Sequence, residues 1–424
     1  MRCLLRLAVL FIVCLVLPGC FDSDRPTPIG EQGETIHLLG VVGVHETIVG
    51  LLERKLAASH IRLEKNFYYW DTYLAKARLA MMNDTREYDV ILGPCSQLVH
   101  FIHAGKTVSL ADVAAQKNLR AEDLYPAVRQ NTVFQGNFFS LPYMADSLIY
   151  IYRTDRFRQA KLLPPRTIGA MYGAGKKLSA GSDYGLAFPA GPGEGNTSVW
   201  SYFLWSYGGE YFDAQWRPTV NSTRALAATR IYNQILQECA PPAVATWQTE
   251  EAVNFFGEGR LAAMILWSGA SNILEDPSRS KVAGKIGYAP LPPGEGGRAI
   301  PRLEAWGAIV PRTSGHIISA KKFCALLISR ESLQAVAASG IAPTPLPEIN
   351  RRYAVGSPHA AFRVAAESLA IARERPNIPE ATQFIPVIGA ALNDILMGSE
   401  LAGAMDGANR QITGIMQLNG RYKK

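Results

Sequence analysis

A chain of 424 residues, of which 48% are hydrophobic and 19% charged, is too long for one ordinary core, because domains usually run to about 100–200 residues. We therefore expect two globular lobes, and the composition excludes a disordered or fibrous protein. The formal net charge of +7 is small for this length and the basic residues are scattered, so nucleic acid is not an expected partner.

The N-terminus carries the features of an export signal. An apolar run, Leu7–Leu17, follows two arginines and is too short to span a bilayer, but it suits a signal-peptide core. The run ends in LPGC, which resembles a bacterial lipobox and predicts cleavage before Cys20 and lipidation of its thiol. We expect residues 1–19 to be a signal peptide and residues 20–33 a lipid-anchored tether, at the periplasmic or extracytoplasmic face of a membrane. Ordinary secretion is the alternative.

From Thr35 the chain alternates strand-like and helix-like segments. Near-continuous apolar runs predict strands covered on both faces, and apolar residues at helical spacing predict the intervening helices. Asp71 is the predicted N-cap of the second helix. The order strand, helix, strand, helix, strand predicts a parallel α/β lobe from the segments TIHLLGVVGV, ETIVGLLERKLAA, IRLEKNFYY, DTYLAKARLAMMND and YDVILG.

A second set of elements follows the strand LIYIYR at residues 148–153. Thr167 and Ser222 are predicted to cap helices, and Gly208-Gly209 to end the aromatic helix TSVWSYFLWSY. LAAMILW and GKIGYAPL predict two strands, after which the turn-dense LPPGEGGRAIP indicates a crossing between lobes. AWGAIVP and SAKKFCALLIS restart the strand and helix pattern, and the last part of the chain is mostly helical.

Several long segments of this chain follow one another in a distinctive order. They are YDVILGPCSQLVHFIHAGKTVSLAD, GNFFSLPYMADSLIYIYRTDRF, EEAVNFFGEGRLAAMILWSGA, GKIGYAPLPPGEGGRAIPRLEAWGAIVPRTSGHIISAKKFCALLIS and SGIAPTP. Together they resemble the landmarks of the extracellular solute-binding proteins of ABC importers, the maltose-binding-like group. The resemblance runs from about Thr35 to about Ile415.

The resemblance implies an α/β fold of two lobes, each a mostly parallel sheet flanked by helices, with the ligand cleft between them. It implies that lobe 1 takes residues 34–145 and 304–344, and lobe 2 residues 146–303 and 345–424. It also implies a monomeric receptor that captures a small-molecule solute, such as a sugar or polyol, and delivers it to ABC permease subunits in the inner membrane. No cofactor and no metal are expected.

Ligands of open α/β sheets lie at the carboxyl ends of strands, where loops lead into helix N-termini. This rule points to His45 and Glu46 after the first strand, to Tyr69 and Trp70 after the second, and to Ser96 after the third. Helix capping is the alternative role for the polar residues.

Other candidates lie across the proposed cleft. Asp146 stands beside a crossing and could accept hydrogen bonds from hydroxyls or amines, with a turn or a surface salt bridge as its alternative. The glycine-rich GPGEGNTSVW could deliver Asn196 to a ligand, but it lacks the spacing of a nucleotide-binding loop. Trp267 and Trp306 occupy places where the resemblance implies aromatics that stack on pyranose rings, and Glu304 would add a charged acceptor.

Alternative functions stay open at this point. A polyamine receptor is one, because Glu46, Asp71, Asp146, Glu194 and Glu304 would make an acidic cleft if all faced inward. A periplasmic sensor or adaptor of the same fold is another. An anionic solute is less favoured, since no arginine cluster is apparent among the proposed contacts. An enzyme is not expected, because the sequence offers no convincing pair of catalytic carboxylates.

Beyond Cys20, the cysteines expected in the mature protein are Cys95, Cys239 and Cys324. They allow at most one internal disulfide, and their spacing does not match a metal or redox motif.

Overall fold

The computed structural model describes residues 34–422 except 135, 182 and 296, so the predicted signal peptide, tether and lipidated Cys20 lie outside the described residues. The strands are β1 (Glu34–Val41), β2 (Ile61–Tyr68), β3 (Val90–Pro94), β4 (Val133–Phe134), β5 (Asn137–Phe138), β6 (Leu141–Arg153), β7 (Ala263–Trp267), β8 (Ile286–Ala289) and β9 (Leu303–Ile309). The α-helices are α1 (Val44–Ala57), α2 (Trp70–Met82), α3 (Cys95–His103), α4 (Ala111–Gln116), α5 (Pro126–Thr132), α6 (Thr154–Gln159), α7 (Ile168–Leu178), α8 (Glu194–Ser206), α9 (Thr223–Cys239), α10 (Thr249–Gly257), α11 (Ser271–Leu274), α12 (Ile317–Leu327), α13 (Arg330–Ser339), α14 (Pro347–Ala354), α15 (Ala360–Leu369), α16 (Ala381–Leu396) and α17 (Leu401–Leu418).

One mixed sheet runs through the molecule. Its strands lie in the order β2-β1-β3-β9-β6-β7, and β8 also pairs with β6. The pairs β1–β2 and β1–β3 are parallel, whereas β9 is antiparallel to β3 and β6, and β6 is antiparallel to β7 and β8. The parallel pairing predicted for each lobe therefore holds in β2-β1-β3. Around β6 the pairing is antiparallel instead.

β6 is a single strand of 13 residues shared by two parts of the sheet. Its first part pairs with β9 up to Ser147, and from Leu148 onward it pairs with β7 and β8. The sequence pattern predicts only its second part, because Pro142 and Asp146 are residue types that are depleted in strand interiors.

The predicted helix ends are partly confirmed. The Thr167 side chain accepts a hydrogen bond from the backbone N–H of Ala170 at the start of α7, and the Ser222 side chain caps α9 in the same way. α8 ends at Ser206, just before Gly208, whose φ of 73° is left-handed. The predicted N-cap Asp71 is wrong, because α2 already begins at Trp70 and the extended backbone of Tyr69 takes the cap position.

The core is divided into buried clusters. One is built on the second part of β6, with β7, α8, α9, α16 and α17, and another on β1, β3, β9 and the first part of β6. A smaller cluster lies under α2 and α3. Phe362 and Leu369 of α15 pack in the β1–β9 cluster. The residue limits given above for the two lobes stay a prediction.

Two further features concern the chain as a whole. No helix in the described part is both long and apolar enough to cross a membrane. Cys95, Cys239 and Cys324 are buried free thiols.

Candidate functional site

Trp306 lies at the centre of an aromatic group where β9 passes between its neighbours. It pairs with Pro94 of β3 and Met144 of β6. Its ring lies 3.8 Å from that of His45 at an interplanar angle of 32°, and 6.2 Å from that of Trp70 in an edge arrangement. The structure thus brings three of the predicted site residues together.

His45 is held in place as a neutral ring. It is buried at the start of α1, and its Nδ1 lies 2.9 Å from the Tyr143 hydroxyl. Burial lowers the pKa of His45 to about 3, because the charged imidazolium is not solvated there. Its uncharged face can therefore support the half-buried Trp306 near neutral pH.

Glu304 lies two residues before Trp306 on β9, opposite Asp146 of β6. It is buried, and its Oε1 accepts a hydrogen bond of 2.9 Å from the Ser96 hydroxyl at the start of α3. Its Oε2 accepts one of 2.5 Å from Arg302 Nη2. The two predicted residues Ser96 and Glu304 are therefore in direct contact.

Arg302 begins a chain of alternating buried basic and acidic side chains. It also donates to Glu374 Oε1 at 3.0 Å, and Arg375 Nε lies 4.0 Å from the same oxygen. Burial raises the pKa of Glu374 to about 8 even though both arginines lie beside it. Burial would lower the pKa of Arg302, but the Glu374 and Glu304 carboxylates outweigh it and raise that pKa.

The charge chain ends at α8, where Arg375 Nη2 pairs with Glu194 Oε2 at 2.5 Å. Gln97 of α3 donates to the other carboxylate oxygen of Glu194 at 2.7 Å. Burial acts to raise the pKa of Glu194, but Arg375 and Arg302 lower it overall. α3 packs beside β3 and β9, so this contact joins the two parts of the molecule predicted to be separate lobes.

Asp146 has a different surrounding. Its Oδ1 accepts hydrogen bonds from the Ser147 N–H and from both the N–H and the hydroxyl of Ser268, and its Oδ2 accepts from the Gly269 N–H. The carboxylate is buried, and burial raises its pKa. The structure thus places the Asp146 side chain of β6 against the turn after β7, next to Trp267. The Arg302 guanidinium lies 5.0 Å from the Trp267 ring centroid.

Three of the predicted site residues do not join this group. Glu46 is exposed on α1, and the Tyr69 side chain is 71% exposed. Asn196 is buried, but its amide donates to the Gly389 carbonyl at 3.0 Å and so faces α16.

Arg302, Glu374 and Arg375 were missed as candidate residues. Arg302 stands two positions before Glu304, and this spacing was the sequence signal that could have identified it. Glu374 and Arg375 lie about 70 residues further along a mostly helical region. Nothing in the local sequence there indicates that they return to β9. Arg302 and Arg375 together form the arginine cluster that was not apparent from the sequence.

A cavity of about 170 Å³ opens beside this group. Trp70, Arg78 and Gln97 line it from one side, and Glu194, Gln248 and Ile385 from the other. Trp70 gives this cavity an aromatic face, and Arg78, Gln97, Glu194 and Gln248 give it hydrogen-bonding groups, which together suit a small solute with hydroxyl groups. In the described part of the chain, no cluster of three or more His, Cys, Asp or Glu side chains is arranged to hold a metal ion.

Comparison with known proteins gives a consistent result. The model of the family described as bacterial extracellular solute-binding protein matches residues 54–389. A probable amino-acid ABC transporter periplasmic-binding protein of Sinorhizobium fredii is 27% identical over 339 residues, which are 76% of this chain and 75% of the relative. A mannitol-binding protein of Pseudomonas aeruginosa is 28% identical over 282 residues, 64% of this chain and 63% of the relative.

Solved structures show the same fold. An ABC transporter solute-binding protein of Agrobacterium radiobacter, in complex with ribitol, superposes with a TM-score of 0.80 at 22% identity over 91% of this chain and 99% of that one. A maltose-bound protein of Thermotoga maritima gives a TM-score of 0.81 at 20% identity over 90% and 99% of the two chains. The predicted two-lobed α/β fold is confirmed.

Proposed function

Because this chain belongs to the bacterial extracellular solute-binding protein family, we propose that it captures a polyol, a sugar or a similar polyhydroxylated solute between its lobes and delivers it to the permease of an ABC importer. Closure of two lobes around a solute requires no covalent chemistry, since the ligand shifts an equilibrium between open and closed forms.

The observation that carries this proposal is the group formed by Trp306, His45 and Glu304. The half-buried Trp306 ring, which lies 3.8 Å from the His45 ring, offers an apolar face to C–H groups. The Glu304 carboxylate is a strong hydroxyl acceptor held beside them by Ser96 and Arg302. A relative that is named for mannitol binding and a neighbouring structure that holds ribitol support the same class of solute.

The buried carboxylates argue against a polyamine. Glu304 and Glu194 are each paired with an arginine, and Glu374 lies between two. Asp146 is engaged by the turn after β7, and Glu46 is exposed. The acidic cleft that would recognise a polycation is therefore largely neutralised, which favours an uncharged solute.

The proposal includes a membrane anchor. The LPGC segment supports lipidation of Cys20, which would hold a monomeric receptor at the extracytoplasmic face beside its permease. Mass spectrometry of the protein from the membrane fraction tests for the acyl chains on Cys20.

A thermal-shift screen of the soluble form starting after Cys20 tests the proposal. The panel contains hexitols, pentitols, sugars, amino acids and polyamines. A solute present at a hundredfold excess over its dissociation constant stabilises the fold by about 2.7 kcal/mol. We expect a shift among polyols or sugars. A shift confined to polyamines or amino acids would overturn the solute class, and no shift with any class would favour the sensor or adaptor role.

A further inference from the structure

A second and larger cavity lies apart from the Trp306 group. Its volume is about 560 Å³, and it is bounded by the segment after α8, by the segment between α15 and α16, and by Gln130 of α5. Its lining includes Trp205, Tyr211, Phe212 and Trp216 together with Glu374 and Arg375. A cavity of this volume with several aromatic walls and a few fixed polar groups has the composition of a ligand compartment.

Trp216 is the most unusual part of this lining. Its backbone is in the left-handed region with φ of 62°, and its side chain is 37% exposed. The turn that holds it is firmly bonded: the Trp216 N–H donates to the Asp213 carbonyl at 3.0 Å, and the Asp213 carboxylate accepts from the backbone and side chain of Arg217. Left-handed backbone at a bulky residue is strained and persists where the surroundings enforce it. Here it sets a large apolar ring at the edge of the cavity.

Arginine side chains contact two tryptophans of this wall. The Phe212 ring lies 5.7 Å from that of Trp216, and the Arg421 guanidinium lies 5.7 Å from the Trp216 ring. Arg373 stands 4.9 Å from the Trp205 ring centroid and donates to both carboxylate oxygens of Glu210 at 2.8 and 3.0 Å. Trp205 and Trp216 are thus each backed by an arginine before any ligand arrives.

The polar part of the lining has unused hydrogen-bonding capacity. Glu374 is 8% exposed and Arg375 is 5% exposed. Among the described residues, neither Glu374 Oε2 nor Arg375 Nε has a hydrogen-bond partner. A hydroxyl group both donates and accepts, so a ligand hydroxyl can pair with either of these groups.

We propose that this aromatic cavity is a second compartment that binds a carbohydrate ring, with Trp216 and Phe212 as the stacking surface and Glu374 and Arg375 as the hydroxyl-binding groups. This second site rests on the proposed function, because both compartments are proposed to take the same class of solute. The two cavities meet at one ion pair, because Arg375 lines the larger cavity and its partner Glu194 lines the smaller one.

Fluorine NMR of the mature protein labelled with 5-fluorotryptophan tests this. The chain has seven tryptophans, so each resonance is assigned by a Trp-to-Phe variant, and the probes are D-mannitol and maltose. We expect maltose to shift the Trp216 resonance. The midpoint of that shift should stay within about twofold in the Trp306→Ala variant, because the Trp306 side chain does not line this cavity.

Two variants of the cavity add a matched comparison, read from the Trp205 resonance. In Trp216→Ala the maltose midpoint should rise about tenfold, as expected for loss of a stacking surface. Trp216→Phe should cost less, and Tyr69→Ala, which removes an exposed ring elsewhere, should leave the midpoint unchanged. The proposal is overturned if the Trp216 resonance stays still while Trp306 responds, or if its shift disappears in Trp306→Ala. If neither the Trp306 nor the Trp70 resonance shifts with any solute, the result counts against the proposed function. The Trp216 resonance then still shows whether the second compartment binds maltose.

Discussion

At the scale of single residues, each charged side chain in the buried chain that begins at Arg302 is compensated by an oppositely charged neighbour. Arg302 is 1% exposed and is shared between Glu304 and Glu374. Taking a guanidinium out of water is costly unless carboxylates and hydrogen bonds compensate it. The network therefore fixes the side chains around the cleft more than it adds net stability.

Replacing Glu304 by Ala should destabilise the fold by about 3–5 kcal/mol, because Arg302 then stays buried with one carboxylate fewer. Urea unfolding measures the change. Glu304→Gln is the control, since its amide oxygen can still accept from Arg302 or Ser96, and it should lose less. Equal stability of the wild type and Glu304→Ala would contradict this account of the network.

His45 predicts a pH dependence. In the unfolded chain it takes up a proton near its ordinary pKa of about 6.5, whereas burial holds the folded pKa to about 3. The unfolded state therefore binds more protons between these values, and stability is lost as the pH falls through that window. This effect amounts to about 2 kcal/mol between pH 7.5 and pH 5.

Denaturant unfolding at the two pH values, in the wild type and in His45→Gln, isolates that contribution because all other groups are shared. Gln at this position keeps a hydrogen-bond acceptor for the Tyr143 hydroxyl. The variant should lose less stability on acidification than the wild type. The same loss in both proteins would rule out His45 as the cause.

At the scale of elements, β6 and β7 are joined through Asp146. Its carboxylate satisfies the N–H groups of Ser268 and Gly269 and so fixes the turn that carries Trp267. Asp146→Ala leaves these donors unpaired and should cost about 2–4 kcal/mol of unfolding free energy. Asp146→Asn keeps one oxygen acceptor and should be intermediate in thermal unfolding. An unchanged unfolding free energy in Asp146→Ala would show that the turn after β7 does not depend on this carboxylate.

The same elements show how far sequence reasoning goes. The first three strands and their helices follow from apolar periodicity, and Thr167 and Ser222 from capping chemistry. His45, Trp70 and Ser96 were predicted because parallel strands end at one edge of a sheet, whereas Trp306 and Glu304 were predicted from the family resemblance. Glu374 and Arg375 were not, since their approach to Arg302 depends on tertiary packing that leaves no periodic signal. Tyr69 also follows a strand, but its side chain is 71% exposed and lies outside the Trp306 group.

At the scale of the whole molecule, Gln97 and Glu194 connect the two sides of the cleft. Gln97→Ala removes that contact and should shift the equilibrium toward the open form. Small-angle scattering should then give a larger radius of gyration without solute. The apparent dissociation constant should rise by roughly the factor by which the binding-competent population falls. An unchanged radius together with unchanged affinity would mean that this bond does not bias closure.

The central claim is that a solute binds against Trp306 between the lobes, and isothermal titration calorimetry tests it most directly. The titration compares the wild type, Trp306→Ala and Tyr69→Ala with the solute that gives the largest thermal shift. We predict that Trp306→Ala weakens binding by about tenfold or more, while its melting temperature without solute stays close to that of the wild type and Tyr69→Ala binds normally. Unchanged affinity in Trp306→Ala would contradict the claim and move the solute away from this cleft.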